Sequence, residues 1–463
     1  MTGQSGLNAV AVVGAGTMGQ GIAQLCAQAG WPTLLYDVAE GAATRAREAI
    51  GESLARRVAR GKLGEAEAES ILENIEIAVE LADLAPAKVV IEAIVERLEI
   101  KRALFDALEM HCSPQALLCT NTSSLGVGEI AKGARRPERI AGLHFFNPAP
   151  VMRLVEVVRA ELTSAETCER LTSFVEGLGK HPVVALDSPG FIVNRCARPY
   201  YGEALRMLEE RVATEAEIDA CLTDGAGFPL GPFALMDLVG LDIGLGATRT
   251  IWEALGRPAR FLPSPLLVEK VEAGKLGRKS GEGFYRYPRE AQAPRECKRP
   301  QASVDALAAL LNQAGGAHCL VSEGETAQAV ASRTGQPVVV LDAMPSPATD
   351  RGPLNLAYAA HGVAQETLTH WQALAEDAGF RLVAVRDAPG LIVARMVMML
   401  ADEAQRVESE GVAGAAQIDT AMCLGLNLAT GPMSLRDRLG RQRLQAVRRA
   451  LASLPEGERY ADE

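Results

Sequence analysis

Residues 9–30, AVAVVGAGTMGQGIAQLCAQAG, decide how the rest of this 463-residue chain is read. Val10, Val12 and Val13 are β-branched and apolar, which is the composition of a buried strand. The chain then turns on Gly14, Gly16 and Gly19, a G-x-G-x-x-G, and continues with Ile22, Ala23, Leu25 and Cys26 as a helix. A strand before and a helix after are the flanks that this glycine pattern needs to bind a dinucleotide. Gly14 allows the tight turn, Gly16 lets a pyrophosphate approach the backbone, and Gly19 lets the helix pack on the strand. The free N–H groups of that helix, which begins about Thr17 and Met18, face the phosphates. A second strand, 33–36, ends in Asp37. Counted from Gly19, Asp37 falls close to the ~20 positions expected of the carboxylate that binds the adenine ribose. A carboxylate there bonds a 2′-hydroxyl and repels a 2′-phosphate, so the cofactor expected is NAD rather than NADP.

The composition, 48% hydrophobic and 23% charged, is that of a globular chain with a sizeable core. Its length suggests about three domains at ~150 residues each. A net charge of −11 argues against nucleic-acid binding and against an anionic membrane surface. The N-terminal sequence has no charged region ahead of an apolar one, and no apolar run approaches the ~18 residues of a membrane span. Nine scattered cysteines with no C-x-x-C read as reduced, buried thiols, and no metal site is expected. Together these predict a cytoplasmic enzyme.

After Asp37 a charged helical stretch runs from Gly41 to Asn74, broken near Gly61 and Gly64. Arg45, Arg47, Arg56, Arg57, Arg60 and Lys62 face only Glu48 and Glu52, a local excess of four positive charges on an acidic protein. Such a run is either a solvated face or an anion site. Strands are expected over 88–94, 117–120, from 139 to the His144 that ends it, and over 151–158, with a helix over 99–111. Ser123, His144 and Glu156 then fall at strand ends or in the loops beyond them, where open α/β sheets place their ligands. From Asp187 the pattern becomes helical, up to Gly277-Arg-Lys-Ser-Gly-Glu-Gly-Phe-Tyr285, and residues 288–303 read as a linker.

The chain repeats itself at an offset of 200. Asp187-Ser-Pro-Gly-Phe-Ile-Val-Asn-Arg195 recurs as Asp387-Ala-Pro-Gly-Leu-Ile-Val-Ala-Arg395. Ile218-Asp219, Gly231-Pro232, Asp237 and Gly240 recur likewise. Shared turn and core residues specify the same backbone path, so a duplicated helical domain is expected. Ala394 stands where the first copy has Asn194. Residues 304–380 look like a small α/β insert without a phosphate loop. The expected division is 1–186 nucleotide-binding, 187–287 helical, 288–380 linker and insert, and 381–463 the second helical copy.

Oxidising an alcohol with a nicotinamide needs a base for the hydroxyl proton, and histidine titrates near neutrality. Of six histidines, His144 ends an apolar strand and lies twelve residues before Glu156. A returning strand can bring imidazole and carboxylate together, as in the serine-protease triad. By spacing alone, a satisfied loop histidine is the better reading.

The motifs together resemble the L-3-hydroxyacyl-CoA dehydrogenases. They are the glycine turn, Asn121-Thr-Ser-Ser-Leu125, His144-Phe-Phe-Asn-Pro148 with Glu156, Pro189-Gly-Phe-Ile-Val-Asn-Arg195, and Lys279-Ser-Gly-Glu-Gly-Phe-Tyr285. The resemblance covers about residues 7–287, and 387–445 resembles the family's second C-terminal domain. It implies a Rossmann NAD-binding domain followed by an all-α C-terminal domain. It implies His144 as general base, Glu156 as its partner, Ser123 on the reacting oxygen and Asn194 positioning the substrate. It places Glu96, Lys101, Ser123, Asn147 and Lys279 near NAD, and the hairpin around Ser53 and Arg60 near coenzyme A. The substrate class it implies is an acyl-CoA, 3-hydroxybutyryl-CoA or 3-hydroxyadipyl-CoA. In single-copy relatives the helical domain forms the dimer interface, so a homodimer and a monomer whose copies pair internally both remain open. A dehydrogenase of free hydroxy acids or sugar acids shares the cofactor half and is the competing enzyme. A non-catalytic NAD sensor with a relic site is the competing non-enzyme.

Overall fold

The computed structural model describes residues 9–288, 303–344 and 354–461. Most of the expected linker, 289–302, lies outside the described residues. The chain forms two compact units, residues 1–193 with 410–425, and residues 194–409 with 426–463.

The first unit holds β1 (Ala9–Val13), β2 (Thr33–Tyr36), β3 (Ile75–Ile77), β4 (Ala87–Glu92), β5 (Leu117–Thr120), β6 (Ile140–Phe145), β7 (Leu154–Arg159) and β8 (His181–Leu186). They make one sheet in the order β3-β2-β1-β4-β5-β6-β7-β8. Only β6 and β7 pair antiparallel; every other pair is parallel. Helices α1 (Thr17–Gln28), α2 (Ala42–Ala59), α3 (Glu65–Glu73), α4 (Leu98–His111), α5 (Val127–Ala131) and α6 (Ala165–Gly177) cover the sheet. β1 and β5 are buried at every residue, as parallel strands clothed on both faces must be. The strand order reverses between β1 and β4, which opens the ligand crevice of a doubly wound sheet. The strand expected from residue 151 begins at Leu154. The Val151 and Met152 amides both bond the Pro148 carbonyl, so that stretch is a turn and not a ladder.

The small α/β segment expected over 304–380 forms the sheet of the second unit. β9 (His318–Val321), β10 (Val338–Asp342), β11 (Leu354–His361) and β12 (Phe380–Ala384) form a four-stranded sheet in sequential order. β9–β10 is parallel, β10–β11 antiparallel and β11–β12 parallel, the same senses as β5 to β8. The helix Gln365–Asp377 follows α6 (Ala165–Gly177) at the offset of the repeat, and β11 follows β7 at the same offset. Asp187 accepts the Gly128 amide at the start of α5, and Asp387 accepts the Ala327 and Gln328 amides at the start of the helix Ala327–Thr334. The repeat therefore includes the second half of the nucleotide-binding sheet. The half that carries the glycine turn was not duplicated.

The two copies exchange segments. In the first unit Leu186 donates to the Val412 carbonyl at 2.8 Å. A Cβ on Gly425 would lie 3.0 Å from Val193 and 3.2 Å from Leu154, so a segment of the second copy closes on β7. In the second unit Arg386 donates to the Val212 carbonyl at 2.8 Å. There a Cβ on Gly225 would lie 2.3 Å from the Asn355 carbonyl of β11. Each copy thus packs a helical segment on the other's sheet, through residues that correspond in the repeat.

Inside the second unit the helices Arg198–Glu209 and Val393–Ser409 pack together. Arg195 bonds Glu403 at 2.6 Å, and Arg260 bonds the other Glu403 oxygen at 2.7 Å. Reciprocally, Arg395 bonds Glu203, and also Glu210 at 2.7 Å. Arg195, Glu403, Arg395 and Glu203 are all at most 1% exposed. Removing one partner of such a buried pair typically costs about 3–5 kcal/mol. Glu403→Ala is expected to destabilise the protein by about that much in urea titration, whereas Glu52→Ala, on an exposed i,i+4 pair, changes it by less than about 0.5 kcal/mol.

Candidate active site

The glycine turn separates into structural and open positions. Gly14 has φ +105°, and a Cβ there would sit 2.5 Å from the Ala93 carbonyl. A Cβ on Gly19 would sit 1.7 Å from the Gly14 carbonyl. Gly16 has nothing within 4 Å. It is the N-cap of α1, exposed beside Thr17, with no acidic residue in the helix's first turn. That is a cradle for a pyrophosphate: open space at a helix N-terminus, which a side chain would fill. Met18 is half-buried against the core on the sheet's α1 side. Asp37 uses both carboxylate oxygens to brace the turn, accepting the Ala15 amide at 2.7 Å and the Ala39 amide at 2.8 Å. Each oxygen keeps a second lone pair for a ribose hydroxyl.

Beyond β4 the carboxylates hold a loop. Glu96 accepts the amides of Ser123 and Ser124 at 3.1 and 3.2 Å and the hydroxyls of Thr122 and Ser124. Lys101 is 1% exposed and bridges Glu92 at 2.6 Å and Glu96 at 3.1 Å. Burial works against the Glu96 charge, but Lys101 and the two hydroxyls outweigh it and hold the carboxyl below its usual range. Lys101 therefore acts from inside the unit, through Glu96, on the loop that carries Ser123. Glu92, fully buried and accepting the Thr120 hydroxyl at 2.7 Å, is a member of this network that sequence reasoning missed. A lone acid ending the apolar strand Lys88-Val-Val-Ile-Glu92 was its only signal. The Ser123 hydroxyl and the exposed Asn147 side chain have no hydrogen-bond partner among the described residues.

His144 and Glu156 are directly opposite in the β6–β7 register. His144 Nδ1 lies 2.6 Å from Glu156 Oε2, with the histidine 5% and the glutamate 0% exposed. The other oxygen, Oε1, accepts the Ile192 and Val193 amides, each at 3.0 Å. A carboxylate accepts only, so Nδ1 carries the proton. Nε2, without a partner among the described residues, is left as the basic nitrogen. The Phe146 and Phe191 rings, at 4.6 and 5.6 Å, wall the imidazole. Asn121 accepts the Phe145 amide at 2.8 Å and ties the Ser123 loop to the histidine strand.

The basic hairpin forms as expected, α2 against α3. Ala43, Ala46, Ile50 and Leu54 are its buried face, and Arg60 is exposed. Arg47 is taken up internally, by the Ile75 and Leu72 carbonyls. Ser53 is half-buried. In the second unit Asn194 is half-buried at the start of the first helical copy, and Lys279 bonds Asp242 at 2.7 Å. No group of His, Cys, Asp and Glu among the described residues could hold a metal.

A dinucleotide cradle and a histidine–glutamate pair at the carboxyl ends of one doubly wound sheet define an NAD-dependent dehydrogenase. The comparisons narrow the class. The profile of the 3-hydroxyacyl-CoA dehydrogenase NAD binding domain matches residues 9–188, and that of the C-terminal domain matches 190–287 and 390–463. The chain belongs to the 3-hydroxyacyl-CoA dehydrogenase family. It is 43% identical over 457 residues to a 3-hydroxyadipyl-CoA dehydrogenase of Escherichia coli, covering 97% of this chain and 95% of the relative. A probable 3-hydroxybutyryl-CoA dehydrogenase of Bacillus subtilis is 42% identical over 60% of this chain and 96% of its own. The crystal structure of a 3-hydroxybutyryl-CoA dehydrogenase from Escherichia coli superposes with a TM-score of 0.89, at 42% identity, covering 98% of this chain and 96% of that one. The protein is an oxidoreductase that uses NAD to oxidise 3-hydroxyacyl-CoA.

Two substitutions separate binding from folding. Gly16→Ala should leave the melting temperature within about 2 °C while raising the KM for NAD, because its methyl enters open space. Gly19→Ala, driven into the Gly14 carbonyl, should lower the melting temperature markedly. Glu156→Gln keeps an acceptor for the Ile192 and Val193 amides but cannot stabilise an imidazolium. Stopped-flow turnover should fall by about 10²–10⁴-fold with the fold retained.

Proposed function

We propose that His144 is the general base, Glu156 its orienting partner, and Ser123 the donor to the reacting oxygen. Asn194 positions the acyl thioester. The reading is carried by one observation: the only nitrogen of His144 left without a partner among the described residues is Nε2, with Nδ1 held by a buried carboxylate. His144 Nε2 takes the 3-hydroxyl proton, and the imidazolium formed is stabilised at once by Glu156. Bound NAD supplies the hydride acceptor. Ser123, fixed by its own amide on Glu96, donates its hydroxyl to the oxygen as it becomes a carbonyl. Gly14, Gly16, Thr17, Met18 and Gly19 hold the pyrophosphate and Asp37 the ribose. Glu96, Lys101, Asn147 and Lys279 shape the nicotinamide half. Ser53 and Arg60 meet coenzyme A. The product is 3-oxoacyl-CoA.

The four-part division 1–186, 187–287, 288–380 and 381–463 is retained as the functional one. We infer a short-chain or dicarboxylic acyl group, 3-hydroxybutyryl-CoA or 3-hydroxyadipyl-CoA, from the names of the two Escherichia coli relatives. The location proposed is the cytoplasm. No helix of the described residues is long and apolar enough to cross a membrane. The reciprocal Arg195–Glu403 and Arg395–Glu203 pairs favour a monomer whose copies pair internally over a homodimer through the same faces.

NADH formation from 3-hydroxybutyryl-CoA, 3-hydroxyhexanoyl-CoA, 3-hydroxyadipyl-CoA and free 3-hydroxybutyrate tests the reading. Activity is expected on the CoA esters with NAD. His144→Ala should lower it at least ~10²-fold while NAD still binds. Activity on the free acid and none on the esters would mean a free hydroxy-acid dehydrogenase.

A further inference from the structure

Two left-handed residues in succession shape the turn that follows β8, Gly190 at φ +79° and Phe191 at φ +49°. Phe191 is not a glycine, and a side chain in that conformation persists where its surroundings over-determine it. The turn delivers three groups to the histidine–glutamate pair. The Ile192 and Val193 amides bond Glu156 Oε1, each at 3.0 Å, and the Phe191 ring stands 5.6 Å from the imidazole.

Residues of the second copy that belong to the first unit grip this turn from outside. Ahead of it, the Leu186 amide donates to the Val412 carbonyl at 2.8 Å. Behind it lies Gly425, near the end of the helix Ala415–Leu426. A Cβ there would sit 3.0 and 3.1 Å from the Val193 methyls and 3.2 Å from Leu154 Cδ2. Val193 supplies one of the two amides on Glu156. Leu154 lies on β7 two residues before Glu156, and alternate residues of a strand share a face. Gly425 thus closes on a residue that donates to the buried carboxylate and on one beside it in the strand. Glycine inside a helix is unfavourable relative to alanine, so this helix gives up stability for a close approach.

The corresponding glycine of the first copy shows what the contact adds. A Cβ on Gly225 would lie 2.3 Å from the Asn355 carbonyl of β11, so a close approach is required there too. β11 carries Leu356 at the place of Glu156. The contact of Gly225 shapes a junction alone, whereas that of Gly425 shapes a junction that also holds a histidine. We propose that Gly425, supplied by the second copy, is a positioning residue for the base of the first. By closing on Val193 and Leu154 it seats the Ile192 and Val193 amides on Glu156 Oε1, and so fixes the Oε2 that His144 Nδ1 meets. This rests on the reading of His144 as general base.

The test is the turnover of NAD and 3-hydroxybutyryl-CoA by variants whose folding is checked by melting temperature. Misplacing a catalytic group by 1 Å can cost about 10²-fold, and the methyl of Gly425→Ala needs a few tenths of an ångström. Its kcat should therefore fall by roughly 10-fold, with both KM values within about 2-fold of native, because the contact touches neither ligand. Adding Val193→Ala makes room for that methyl at nearly constant volume and should restore most of the lost kcat. In a Glu156→Gln background Gly425→Ala should cost less than about 2-fold, since residues acting through one group are not additive. Gly414→Ala, in the same segment but 3.7 Å from Gln417 and in open contact, should behave as native. An unchanged kcat in Gly425→Ala, an equal loss in the Glu156→Gln background, or no recovery on adding Val193→Ala overturns the proposal. If Gly425→Ala does not fold, Val193→Ala alone decides: it opens the same contact from the other side, so kcat should fall while KM holds, and an intact kcat overturns the proposal. Native turnover in His144→Ala would instead sink the general-base reading, whatever the glycine variants do.

Discussion

The Glu156 carboxylate makes two demands on the structure with its two oxygens. One orients His144; the other accepts the Ile192 and Val193 amides, where the chain leaves the sheet for the helices. Because the side chain is fully buried, both must be met together, since an unmet hydrogen bond on a buried charge costs more than either bond contributes. The antiparallel β6–β7 pair sets His144 opposite it, and the Pro-Gly turn delivers the two amides. One carboxylate thus serves both the histidine contact and the structural junction.

The duplicated half separates these two demands. There Asp342, on β10, accepts the Ile392, Val393 and Ala394 amides, with Arg443 as its charge partner. The junction is therefore kept. Leu356 takes the place of Glu156 in the repeat, so the histidine contact is absent. Burial pushes the Asp342 carboxyl up, against the pull of Arg443 and the three amides. The second copy has kept an anion at the junction and has Leu356 where the first copy has the anion that meets the histidine.

The same separation governs the helices. Arginines and glutamates at corresponding places in the two copies form reciprocal buried pairs, and each copy lends a helical segment to the other's sheet. Neither copy completes its own sheet face. The second half is consequently part of the support for the unit that carries His144, because residues 410–425 lie against β7 and its neighbour β8.

Much of this was legible in the sequence, for local reasons. Between a strand and a helix, Gly14 and Gly19 make a turn that residues with a side chain cannot, and an acid at the end of the next strand is what a ribose-binding site asks for. The Pro-Gly-x-Ile-Val-x-Arg repeat exposed the duplication because turns need particular residues. What the sequence hid was whatever depends on pairing across space. The His144–Glu156 contact needed the β6–β7 register, and twelve residues of spacing permit it without requiring it. The repeat of β5 to β8 escaped notice because buried strands ask only for apolar side chains, which many sequences satisfy. Glu92 went unnoticed because a single polar residue among apolar neighbours carries no pattern. Lys101 was expected beside the cofactor by resemblance, and only the packing of α4 on β4 put its ammonium between two carboxylates. Local stereochemistry is written residue by residue in the chain; burial and charge compensation are properties of the neighbours that folding brings together.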